Sequence, residues 1–148
     1  MDYFMNMQIY LQMAIPLQAG FKHYACELIS TITVRAGGES YSYHVLSAFN
    51  EAFNNIIEHS GKCQEDEVII EVKQSDNTIL LQLEYDGNPF DSEYLKLDSA
   101  PDPLAESGYG LYIMKSFMDE VRYQYCNNKN RWTMIKEIPH QKKDFIAL

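Results

Sequence analysis

Leu81-Gln82-Leu83-Glu84-Tyr85-Asp86-Gly87-Asn88-Pro89-Phe90-Asp91 reads as a strand that runs into a sharp turn. Leu81, Leu83 and Tyr85 share one phase and Gln82, Glu84 and Asp86 the other, the alternation of a half-buried strand. Asp-Gly followed by Pro-Phe ends it, and glycine at that point lets the backbone come close to a ligand. On these residues alone an ordinary strand-end turn is the better explanation of the stretch.

Upstream, Val68 to Lys73 has the same character, and Ser75-Asp76-Asn77 joins it to Thr78–Tyr85 as a hairpin. Before that, Val45, Leu46, Phe49, Ala52, Phe53, Ile56 and Ile57 form the buried face of a helix from about Tyr41 to His59. Phe21, Tyr24, Ala25, Leu28 and Ile32 give an earlier helix one apolar stripe, closed by Ala36-Gly37-Gly38. Met7 to Ile15 alternates as a strand that Pro16 closes. Downstream, a loop rich in Pro, Asp and Ser runs from Asn88 to Ser107, longer than a compact domain usually keeps without a use. A third helix starts near Gly110, with Leu111, Met114, Phe117, Met118 and Val121 inward. Arg122–Cys126 and Arg131–Ile138 are the last strands, meeting at Asn127-Asn128-Lys129-Asn130. The order β-α-α-β-β-α-β-β predicts an α+β fold, a two-layer sandwich with a mixed, largely antiparallel sheet and helices on one face. One domain over residues 1–140 is expected, with a loose tail over 141–148.

The 148 residues suit a single core, and the three cysteines are too scattered for a disulfide framework or a zinc site. A formal charge of −9 lowers the expectation of direct nucleic-acid binding. The apolar run from Met5 to Ile15 is too short and polar for a membrane span, and no basic residue precedes it as in a secretory signal. A cytoplasmic protein is the expectation.

Two further stretches can carry chemistry. In Asn50-Glu51-Ala52-Phe53-Asn54-Asn55, Glu51 and Asn55 stand one helical turn apart, and Glu58 and His59 extend the stripe. A carboxylate there can accept a proton from an attacking hydroxyl, and an amide oxygen can ligate Mg²⁺. A solvated helix face is the commoner use of such spacing. In Asp102-Pro103-Leu104-Ala105-Glu106-Ser107-Gly108-Tyr109-Gly110-Leu111, Gly-x-Gly opens a helix. Bare amides and the positive helix end together hold phosphates, although a tight loop-to-helix entry uses the same residues.

In order, Asn50–Asn55, Asp86-Gly87 with Pro89-Phe90-Asp91, and Asp102–Leu111 resemble the N, G1 and G2 boxes of the GHKL ATPases. Phe117–Tyr123 resembles the continuation beyond the third. The nearest branch is the anti-sigma-factor serine kinases, and the lack of a helical hairpin ahead of the domain favours it over sensor kinases. The resemblance implies a Bergerat-type fold, ATP and Mg²⁺ as cofactors, and a homodimer that binds a sigma factor and phosphorylates a serine on an antagonist protein. It implies Glu51 as general base and Asn55 as Mg²⁺ ligand. Tyr85, Asp86 and Gly87 would line the adenine pocket; Gly108, Tyr109, Gly110 and Leu111 would wrap the phosphates, with the preceding loop as lid.

One position departs from the pattern. The family places an adenine-binding aspartate two residues before the G1 glycine, and here Tyr85 stands there. Strand phase turns Asp86 away, unless a bulge at the strand end swings it in. The alternative function is therefore a partner-binding module on the same fold with impaired catalysis.

Overall fold

The computed structural model describes residues 8–59, 66–90 and 109–139. Within them, β1 (Ile9–Pro16), α1 (Lys22–Gly37), α2 (Glu39–His59), β2 (Glu67–Gln74), β3 (Thr78–Asp86), α3 (Tyr109–Phe117), β4 (Glu120–Cys126) and β5 (Lys129–Glu137) follow the expected order. The sheet runs β1-β2-β3-β5-β4, and each described pairing is antiparallel. The expected mixed character is thus absent from the described strands. Short turns make the β2–β3 and β4–β5 pairs antiparallel, while β1–β2 and β3–β5 reach the same sense through longer connections that carry the helices.

Strand alternation creates the two layers. Val68, Ile70 and Val72 on β2, Ile79, Leu81, Leu83 and Tyr85 on β3, and Trp132 and Met134 on β5 share one core with Ala25, Ile29, Val45, Phe49, Phe53, Ile56 and Met114 of the helices. Much of the opposite sheet face is polar and paired with itself. Arg131 grips Glu84 at 2.7 Å and Lys73 lies over the Tyr10 ring.

Three details differ from the expectations. Ala25, Ile29, Ile32, Thr33 and Ala36 are the buried residues of α1, while Phe21 and Tyr24 are exposed. The helix axis therefore turns the expected stripe by about one position. Val121 lies on β4 and not on the third helix. Asn130 sits at an inward position of β5, fully buried, because the last turn is tighter than its four polar residues suggest. Asn127 and Asn128 alone make it, both with positive φ (54° and 65°), the geometry of a two-residue hairpin in which asparagine is tolerated.

Between α1 and α2, Gly37 and Gly38 do different work. Gly38 has φ of 93° and open space where a Cβ would go. A Cβ on Gly37 would instead come within 2.4 Å of Tyr41 Cγ. That ring is buried and its hydroxyl donates to the Lys136 carbonyl at 2.9 Å, so it cannot yield easily. Gly37→Ala is expected to cost about 1–3 kcal/mol through overpacking. Gly38→Ala, a conformational penalty alone, is expected to cost about 1 kcal/mol. Thermal unfolding of the two variants checks the order.

Candidate functional site

The polar side of α2 splits into two rows. Asn50 and Asn54, one turn apart, face α1: Cys26 Sγ lies 3.6 Å from Asn50 Oδ1, and Lys22 Nζ donates to Asn54 Oδ1 at 3.3 Å. Glu51 and Asn55 form the adjacent row, anchored from behind by buried Ala52, Phe53 and Ile56. Both are half-buried, and neither has a hydrogen bond or ion pair among the described residues. One row fastens the helix pair and the other is left available.

α3 comes down onto that second row. A Cβ on Gly110 would stand 2.9 Å from Glu51 Oε2 and 3.8 Å from its Cβ and Cδ, so the first turn of α3 lies against the Glu51 side chain, whose free end could swing aside for a larger residue. The first amides of a helix have no acceptor within it, and they gather partial positive charge. Leu111 is buried, which fixes the helix end and leaves only its backbone amide for a ligand. Gly108 and the loop to Ser107 lie outside the described residues, as do the side chains of Tyr109 and His59.

The end of β3 carries the remaining expected site residues. Tyr85 points inward and is 6% exposed; Trp132 Nε1 donates to its hydroxyl at 3.1 Å. Asp86 points outward and pairs with Lys129 Nζ at 3.1 Å. The register continues unbroken through Tyr85↔Asn130 and Asp86↔Lys129, so no bulge carries Asp86 inward. Gly87 follows with φ of 141°, a backbone that other residues rarely adopt. Of the expected site residues, Glu51 and Gly110 therefore meet directly, and Asn55 lies one turn along the same row. Tyr85 and Gly87 meet at the strand end. Asp86 does not join either group.

Tyr123, Asn130 and Trp132 escaped the sequence reading. Phe90 N–H donates to Tyr123 Oη at 2.7 Å, Tyr123 donates to Asn130 Oδ1, and Asn130 Nδ2 donates to the Gly87 carbonyl at 3.3 Å. This relay holds the turn after β3 against β4 and β5. Phe90, Tyr123 and Trp132 pack ring against ring around it, with centroids 4.9 to 5.7 Å apart. A signal existed in β5: Asn130, Trp132 and Met134 share the inward phase, which makes Asn130 a buried polar group in need of partners.

Comparison with known proteins agrees with this geometry. Residues 25–136 match the histidine kinase-like ATPase domain family. The chain is 29% identical over 127 residues to the serine-protein kinase RsbW of Bacillus subtilis, covering 78% of each protein. It is 30% identical over 148 residues to the serine-protein kinase RsbW of Bacillus pumilus, covering 90% of this chain and 89% of that protein. A crystal structure of the RsbU and RsbW domains of Rv1364c from Mycobacterium tuberculosis superposes with a TM-score of 0.64 at 10% identity. The match takes in 87% of this chain and 32% of the longer one, and it bears on the fold alone.

Asn130→Ala removes the centre of the relay and leaves the Tyr123 hydroxyl and the Gly87 carbonyl without their partner. A loss of about 1–3 kcal/mol is expected, read as a lower urea midpoint. Alkaline pH probes the same region. Burial pushes the Tyr85 hydroxyl up to about 12, against the smaller opposing effect of the Trp132 hydrogen bond. Burial likewise pushes Tyr41 well above the ordinary tyrosine range. A raised folded value means the stabilisation is complete below the unfolded tyrosine value and is lost as pH climbs through the folded one. Stability should therefore fall between about pH 10 and 12, with the late ionisation of Tyr85 and Tyr41 followed in an ultraviolet absorbance titration.

Proposed function

The chain belongs to the histidine kinase-like ATPase domain family, and from that premise we propose that it is an anti-sigma regulatory factor with serine kinase activity. It would bind a sigma factor and phosphorylate a serine of an antagonist protein, thereby weakening the antagonist's hold. The observation that carries the reading is the approach of Gly110 to Glu51, which brings a carboxylate to an amide-bearing helix end. The 29–30% identity to two serine-protein kinases supports it.

The residues fit the phosphate and metal end of a nucleotide. Asn55 offers a hard oxygen for Mg²⁺, and the early amides of α3 offer donors for phosphate oxygens. ATP supplies the phosphoryl group and Mg²⁺ offsets its charge. Glu51 would accept the proton of the serine hydroxyl as the serine oxygen bonds to the γ-phosphorus and the bond to the departing ADP breaks. Gly110, having no side chain, keeps the path between carboxylate and helix end open. Gly87 gives the base end a floor without side-chain bulk.

The base end favours a second reading. Tyr85 is a buried neutral phenol where the family pattern has a carboxylate, and its hydroxyl is already engaged by Trp132. A module that captures its partner without phosphoryl transfer would keep the fold and tolerate this change. In either reading the setting is cytoplasmic and the assembly a homodimer. No described helix is long and apolar enough to cross a membrane. Exposed Phe21, which caps the start of α1, and Tyr24 in its first turn, at 37% and 52%, supply apolar surface for the dimer.

Glu51→Gln should lower phosphoryl transfer to a cognate serine-bearing partner by about 10²- to 10⁴-fold while nucleotide affinity changes little. Radiolabel transfer beside a binding titration separates the two effects. Wild-type phosphorylation equal to background would instead support the capture module. Tyr24→Glu should shift the dimer towards monomer in light scattering.

A further inference from the structure

The hydrogen-bond polarity at Tyr85 is opposite to that of a carboxylate. An indole N–H can only donate, so the bond from Trp132 Nε1 makes the Tyr85 oxygen its acceptor. The phenolic proton must point elsewhere, and no described residue accepts it. Neighbouring polar groups are committed: Tyr123 donates to Asn130 and accepts from Phe90, while Asn130 Nδ2 is turned to Gly87. Burial disfavours the phenolate, so Tyr85 stays a donor throughout the neutral range.

We propose that Tyr85 makes this site selective for a 6-oxo purine nucleotide over a 6-amino one, a refinement that rests on the nucleotide reading given above. The carbonyl of guanine or hypoxanthine accepts the phenolic proton. The amino group of adenine meets it donor against donor, and one of the two is left unsatisfied in a buried place. With a carboxylate at this position the preference reverses, because a carboxylate only accepts. The family's adenine preference and this chain's chemistry therefore diverge at one side chain. The phosphate end, built by Glu51, Asn55 and Gly110, needs no change.

Trp132 is the sole tryptophan of the chain and its ring nitrogen is bonded to Tyr85, so its emission reports on the base end directly. The full chain is titrated with the Mg²⁺ complexes of inosine triphosphate, ATP and tripolyphosphate, followed by Trp132 fluorescence and in parallel by calorimetry. Inosine triphosphate is expected to bind about tenfold or more tightly than ATP. Tyr85→Phe, which lacks only the hydroxyl, should bring the two affinities together, and Tyr85→Asp should favour ATP. The wild-type comparison stands whether or not the variants fold. ATP binding as tightly as inosine triphosphate, or more so, overturns the base preference and leaves the nucleotide reading intact. Absence of saturable binding for all three compounds overturns the nucleotide reading and this refinement together.

Discussion

The site hangs on the end of β3, where a strand buried on one face meets a turn held by buried hydrogen bonds. Because side chains alternate along the strand, Tyr85 has to enter the core if Leu81 and Leu83 do, and Asp86 has to leave it. The relay from Phe90 through Tyr123 and Asn130 to Gly87 then fixes the turn to its neighbours. A slip of one residue would expose Leu81 and Leu83, leave Asn130 without its partners, and bury a charge now paired with Lys129 at the surface. Each of these costs more than a turn can repay, so the phase of the strand is fixed.

Two ends of the site answer to different constraints. At the α2–α3 contact the feature is proximity: the Glu51 carboxylate lies against the first turn of α3 at Gly110. At the β3 end the requirement is polarity, set by which atoms of Tyr85 remain after Trp132 has taken one. In the proposed reading the first end follows the sequence pattern of the family and the second, at Tyr85, departs from it. Such a split fits a protein whose phosphate-handling machinery is retained while its base recognition has changed.

Much of this was legible in the residues. The hairpin after β2, the apolar stripe of α2 and the start of α3 near Gly110 each rest on local chemistry, and the element order follows. Tyr85's inward position was also readable, since strand phase depends on nothing distant. Strand phase shared with Trp132 and Met134 hinted at a buried Asn130, but local pattern could not name its partners in the relay. The residue belongs to a polar run that reads as turn, and only the tight Asn127-Asn128 reversal moves it into the strand. Nor could helical spacing place Phe21 and Tyr24, because a helix with apolar residues around much of its surface does not declare which side meets the sheet.

The central claim is that Glu51, Asn55 and the first turn of α3 form a site for a magnesium nucleotide. Phosphorus NMR of a nucleoside triphosphate, inosine and adenosine forms tested separately, addresses that claim at the phosphates themselves. The account predicts that the chain with Mg²⁺ shifts or broadens the β and γ resonances, and that Asn55→Ala weakens the effect. Unchanged resonances for both nucleotides at saturating protein would contradict it.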